Sequence, residues 1–281
     1  MRLCGIRTAD GVRHVAEETA EGPRPIAPVE AFWADPEARL AAWRAGERTA
    51  PVAGPVLVPP VRDAARVLCV GLNYRAHVAE GSYRDDPYPE LPTVFGRWTA
   101  SLSVDGEPAP VPAGEDGLDW EGEVVAYLGR RLVDATPEEA RAAVIGYSTF
   151  NDLTARRAQK ATSQWTVGKN ADASGPLGPL VTADEVGDLR DGLELVTRVN
   201  GEVVQRGDTR DLVHEVGEVL SLLSRTMTLH PGDLLATGTP AGVGYSRTPP
   251  WLLRPGDVVT VEVDRLGVLR TPIVENNARH G

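Results

Sequence analysis

The run Asp119-Trp120-Glu121-Gly122-Glu123, followed by the apolar stretch Val124 to Leu128, constrains the fold more than any other part of the chain. In a β-strand successive side chains point to opposite faces, so Glu121 and Glu123 project from the same face. Two like charges aimed at one spot repel unless one is protonated or a cation sits between them. Within an otherwise apolar strand this leaves two readings: a solvated face with both glutamates turned outward, or a face that holds a bound cation. Thr136-Pro137-Glu138-Glu139 then supplies a capping hydroxyl, a proline at the first helical position and a glutamate at the third. That pattern predicts a short helix, closed by Gly146 or its neighbours. The helix returns the chain to a second strand, Val144 to Phe150, which ends in Asn151-Asp152. Such a short strand–helix–strand unit sets its strands side by side and brings Asp152 to the glutamate pair. Three all-oxygen ligands suit Mg²⁺ or Mn²⁺, with Ca²⁺ a further candidate, whereas zinc prefers His or Cys.

A chain of 281 residues can bury a sizeable core in one large domain or two. Residues 1–60 read as a small N-terminal unit. Asp10-Gly11 predicts a tight hairpin turn, and Asp35-Pro36-Glu37 caps a helix that runs through Leu40 and Trp43 to Gly46. Four prolines, Pro51, Pro55, Pro59 and Pro60, then form an extended connector, which places the boundary at residue 60 and a second domain over 61–281. This second part is mostly β. Asn200-Gly201 joins two strands in a hairpin, Pro-Gly-Asp at 231–233 and 255–257 each introduces a strand, and a last hairpin turns near Gly267. Leu212, Val213, Val216, Val219, Leu220 and Leu223 follow helical spacing, with His214 beside the stripe.

Several further residues could carry chemistry. His77 and Glu80 stand three apart after the strand Ala65 to Val70; on a helix they share a face, either as a surface pair or as a base with the carboxylate that orients it. The irregular Gly81 to Pro92 segment beside them reads as a lid. The glycine-rich Thr237 to Gly244 lacks the Lys-Ser/Thr of a phosphate-binding loop and runs into Pro249-Pro250. It fits better as a backbone loop against a small substrate, with Thr239 as a hydroxyl donor.

Gly71-Leu72-Asn73-Tyr74-Arg75-Ala76-His77 with Glu80, Asp119 to Glu123, Asn151-Asp152-Leu153-Thr154-Ala155-Arg156, Lys169 and Thr237 to Gly244 occur in the order seen in the fumarylacetoacetate hydrolase family, which the chain resembles over roughly residues 65 to 275. The resemblance implies an α+β, mostly β fold: a mixed β-sandwich or β-roll catalytic domain with a small N-terminal α/β domain. It implies that Glu121, Glu123 and Asp152 hold the metal, that His77 and Glu80 activate water, and that Lys169 is a catalytic cation near the substrate oxygens. Tyr74, Arg97, Gln159 and Thr239 become substrate contacts. Two positions depart from the family pattern, Arg157 where many members have Asp and Arg97 where many have Lys, and the two cations are not interchangeable at a recognition site. The implied activity is metal-dependent hydrolysis of a C–C bond in an acylpyruvate-like or fumarylacetoacetate-like 1,3-dicarbonyl, with decarboxylation or enol–keto isomerisation of an oxo acid as the alternative. A homodimer is implied as well.

The formal net charge of −11 disfavours nucleic acid as a partner. Cys4 and Cys69 are too few for a disulfide framework and read as buried thiols. No signal region and no apolar run of membrane-spanning length is present, so the sequence predicts a cytoplasmic protein without a membrane partner.

Overall fold

The computed structural model describes residues 1–80 and 91–276, so most of the segment expected to act as a lid lies outside the described residues. The architecture is α+β and mostly β, built on two sheets. Among the described residues the larger has 12 strands, with Gly122–Leu128 near its middle between Val144–Asn151 and Leu234–Ala236. The second has five strands, including Glu194–Val199, Val258–Val263 and Gly267–Val274.

The central strand explains how the sheets meet. On one face Val124, Ala126 and Leu128 pack with Leu195, Val261 and Val263 of the second sheet. Gly122 belongs to that face, where a Cβ would lie 2.3 Å from Thr197 Oγ1. The opposite face carries Glu121, Glu123, Val125 and Tyr127; its apolar half is covered by Phe32 and Trp33, and Trp33 stacks on Tyr127 at 6.1 Å. One strand is thus apolar on both sides along most of its length and acidic at one end of one face.

The returning unit forms as its sequence predicts. Thr136 and Glu139 close a capping box on the helix Pro137–Ala142. Val144–Asn151 pairs antiparallel with the central strand, setting Phe150 opposite Glu123 and Asn151 opposite Gly122. The helix ends at Ala143 and not at Gly146, which lies within the strand; there a Cβ would sit 2.5 Å from Val181 O, so this glycine serves strand pairing. Asn200 and Gly201 both have positive φ, 51° and 86°, and form the predicted hairpin. The late helix begins only at Val216. Val213 N and His214 N donate to Asn73 O and Asn73 Oδ1, so the residues before it are tied to the segment that follows the strand Val67–Gly71 and do not wind into the helix.

The composition break near residue 60 is not a break in the sheet. Arg2–Arg7 pairs with Leu180–Thr182 through Arg2 opposite Val181 and Leu3 opposite Leu180. Leu3, Val15, Phe32, Trp33 and Leu40 share one apolar cluster with Val67, Tyr127, Phe150 and Leu234. The N-terminal strands therefore continue the main sheet, and their helices roof it. Among the described residues no helix is long and apolar enough to cross a membrane.

Candidate active site

The acidic end of the central strand opens into a cavity of about 770 Å³. Glu121, Glu123 and Asp152 line it, and one oxygen from each lies within 4.8 Å of the others. Asp152 arrives through strand pairing continued by one residue, since its N–H donates to Glu121 O at 2.9 Å.

Three cations hold this cluster. Lys169 Nζ donates to Glu121 Oε2 at 2.7 Å and to Asp152 Oδ2 at 2.6 Å. Arg156 spans Asp119 Oδ2 at 2.6 Å and Glu121 Oε1 at 2.7 Å. Arg97 Nε donates to Asp152 Oδ1 at 2.5 Å. Lys169 and Arg156 sit on two short consecutive helices, Thr166–Lys169 and Arg156–Lys160, that pack without a gap because Gly168 leaves room for the Gln159 backbone, 2.4 Å from where a Cβ would be. Four carboxylates, Asp119, Glu121, Glu123 and Asp152, thus meet three cations, and Glu123 has no cation of its own among the described residues.

The electrostatics follow this inventory. Burial alone would raise the Glu121 carboxyl, but Lys169 and Arg156 outweigh it and hold it at about 2. Burial, reinforced by Asp152 and Glu121, pushes the Glu123 carboxyl well above the ordinary 4.5. Burial lowers Lys169, yet Asp152 and Glu121 more than offset this and keep it above 10.5, a fixed positive charge. A buried carboxylate left over beside two others, with all-oxygen donors, is chemistry that fits a hard divalent cation.

Across the cavity His77 and Glu80 share a face of the helix Arg75–Glu80, with Nδ1 and Oε1 2.8 Å apart. Burial would raise Glu80, but its bonds with His77 and Gly242 outweigh that and bring it below 4.5. An ionised Glu80 accepts, so His77 Nδ1 carries the hydrogen and Nε2 is left as the basic nitrogen.

The loop Thr237 to Gly244 works differently from the expectation of a substrate cradle. Three of its N–H groups are taken by protein carboxylates: Gly238 donates to Glu123 at 3.0 Å, Gly242 to Glu80 at 2.7 Å and Gly244 to Asp119 at 2.7 Å. Thr239 lines the cavity, but its hydroxyl donates to Gly122 O at 2.9 Å and is not a free donor.

Of the remaining expected contacts, Gln159 lines the cavity, with its oxygen accepting from Arg156 Nη1 at 2.9 Å so that its amide N–H groups face elsewhere. Arg97 does not line it. Its side chain is fully buried behind Asp152, and Nη1 and Nη2 are bound to Ser101, Ser174 and Leu153 O. Tyr74 is also outside the lining, buried against Leu212, and burial raises its phenol. Arg157 is an exposed partner of Asp116. Sequence reasoning passed over Asn73, whose amide donates to Thr237 O at 2.8 Å and His214 O at 3.0 Å, and over Arg156 as a site residue. Both stand inside the quoted motifs, and their position there was the available signal.

The chain is thus mostly β, with a buried carboxylate triad facing a His–Glu pair across one cavity. Residues 66–274 match the fumarylacetoacetate (FAA) hydrolase C-terminal family model, and the chain belongs to the fumarylacetoacetate hydrolase family. It is 36% identical over 221 residues to a mitochondrial oxaloacetate tautomerase of Xenopus laevis, covering 78% of this chain and 68% of that one. Among solved structures it is similar to a 5-carboxymethyl-2-hydroxymuconate delta-isomerase from Mycobacterium smegmatis, with a TM-score of 0.78, 32% identity and coverage of 98% and 100%. It is also similar to a fumarylpyruvate hydrolase from Pseudomonas aeruginosa, solved with Mn²⁺ and pyruvate, with a TM-score of 0.68, 34% identity and coverage of 79% and 92%.

Proposed function

We propose that the chain is a divalent-metal-dependent enzyme that interconverts the keto and enol forms of a small 2-oxo acid, with His77 as the proton carrier. The observation that carries this reading is the placement of a hydrogen-bonded His77–Glu80 pair in the same cavity as the carboxylate triad. Glu121, Glu123 and Asp152 would hold Mg²⁺ or Mn²⁺, which when bound polarises the substrate oxygens and acidifies the neighbouring C–H. His77 Nε2 takes the proton from carbon and returns it to oxygen, while Glu80 stabilises the imidazolium formed in between. Lys169 and Arg156 keep Glu121 ionised, and Lys169 ties Glu121 to Asp152. Arg97 and Tyr74 act from behind, by positioning.

The relative named as an oxaloacetate tautomerase supports the reaction class, and the relative that binds Mn²⁺ and pyruvate supports the ligand class. The second reading is C–C hydrolysis of an acylpyruvate, in which the same His77 Nε2 deprotonates water. The test is ¹H NMR in D₂O with Mg²⁺ or Mn²⁺ on oxaloacetate and a set of acylpyruvates. Tautomerisation gives deuterium at the carbon next to the carbonyl with the substrate otherwise intact. Hydrolysis gives two new acids, with ¹⁸O from labelled water in one carboxylate. If the metal-loaded protein gives neither result with any of these compounds, both readings fail.

A further inference from the structure

Among the described residues the cavity lining contains four Lys and Arg side chains, and they fall into two groups. Lys169 and Arg156 are bonded to carboxylates at the acidic end. Arg247 and Lys160 also line the cavity, and among the described residues neither has a carboxylate partner. Lys160 Nζ stands 3.8 Å from the centre of the Tyr245 ring. Arg247 packs beside a pair of indoles, 5.6 Å from the Trp120 ring and 5.3 Å from the Trp251 ring, which themselves meet edge to face at 5.3 Å. Nη2 donates to Val204 O at 2.9 Å and Gly242 O at 3.4 Å. Nε is buried without an acceptor, and Nη1 makes no bond among the described residues.

A guanidinium packed against two rings and anchored through one nitrogen is preorganised, so little side-chain freedom is lost when an anion docks on it. Among the described residues no carboxylate neutralises its charge, whereas Lys169 and Arg156 at the acidic end are each paired. The cavity of about 770 Å³ is also more than a four-carbon acid fills, since pockets of roughly 300–1,000 Å³ hold much larger ligands.

We propose that Arg247, with Lys160 on the same wall, recognises a second carboxylate, so that the substrate is a 2-oxo diacid longer than four carbons and not a monoacid. Arg247 is then a specificity residue. The proposal rests on the oxo-acid reading above and refines it.

The experiment is calorimetric binding to the Mn²⁺-loaded full-length protein of 2-oxoadipate and of 2-oxohexanoate, which share a chain length and differ only in the distal carboxylate. Wild type should bind the diacid about tenfold more tightly or better, the gain expected of a charge-assisted bond. Arg247→Met should bring the ratio of the two dissociation constants close to one. Arg247→Lys, which keeps the charge and loses the fork, should retain part of the preference. Near-ultraviolet circular dichroism of the paired tryptophans reports whether each variant keeps its fold, and Arg247→Lys carries the test if Arg247→Met does not. No preference for the diacid in wild type, or a preference that survives in both variants, overturns the proposal while leaving the oxo-acid reading standing. Failure of both acids and of oxalate to bind overturns the two together.

Discussion

Glu123 is the residue on which the metal assignment turns. It shares a strand face with Glu121, it is buried, and the Gly238 N–H is its one donor among the described residues, while its neighbours Glu121 and Asp152 have three cations between them. We predict that Glu123→Gln, which keeps the bond from Gly238, leaves the metal-free protein at least as stable as wild type and abolishes the rise in melting temperature on adding Mn²⁺. A variant that melts as wild type does with and without Mn²⁺ would remove Glu123 from the metal site. Lys169 has the opposite sign. Its removal leaves Glu121 and Asp152 facing each other with less compensation, and breaking a buried pair from one side costs about 3–5 kcal/mol. Lys169→Met should therefore lose stability of that order in chemical denaturation without metal, and saturating Mn²⁺ should restore part of it. An equal loss in both conditions would mean that Lys169 and the metal do not share ligands. The spacing of Glu121 and Glu123 was legible because it depends on a two-residue period alone. The role of Arg97 was not, because its partners Asp152, Leu153 and Ser174 come from 55 to 77 residues away and no local pattern announces them.

At the scale of elements, what the sequence made legible were the pieces with a local cause: the capping box, the Asn-Gly hairpin, the strand introduced by each Pro-Gly-Asp turn. What it concealed were ends decided by tertiary contacts. Gly146 looks like a helix stop and is a strand residue under Val181, and Leu212 to His214 continue a helical stripe on paper but are held by Asn73. The same kind of contact shapes the aromatic wall of the cavity. Gly71 ends the strand before His77, and a Cβ there would lie 2.3 Å from Trp165 Cζ3. Trp165 in turn packs edge to face on Phe95 at 5.4 Å, and Phe95 lies 5.3 Å beneath Lys169 Nζ. Gly71→Ala should thus displace the indole without touching a carboxylate: Trp fluorescence should change, and affinity for a 2-oxo acid should fall by more than affinity for Mn²⁺. An unchanged spectrum with unchanged ligand affinity would show that the wall yields at no consequence to the site.

At the scale of the whole molecule, the site depends on a sheet that the first 60 residues help to complete. Phe32 and Trp33 cover Val125 and Tyr127, the residues that follow Glu121 and Glu123 on the same strand face, and the Trp33 Nε1 bonds to Pro60 O at 2.7 Å across the connector. Deleting a buried Phe, Trp or Leu side chain costs about 2–5 kcal/mol each, so losing Phe32, Trp33 and Leu40 together approaches the 5–15 kcal/mol that holds a typical domain folded. The deletion would also uncover the Leu180–Thr182 edge, which now pairs with Arg2–Arg7. We predict that a fragment beginning at Val61 does not fold by itself: it should show no cooperative thermal transition, and Mn²⁺ should not induce one. The carboxylates are all present in that fragment, so the measurement separates having the ligands from having the sheet that aims them. A fragment that melts cooperatively and binds Mn²⁺ as tightly as the full chain would show that the composition break at residue 60 marks an independently folding unit after all.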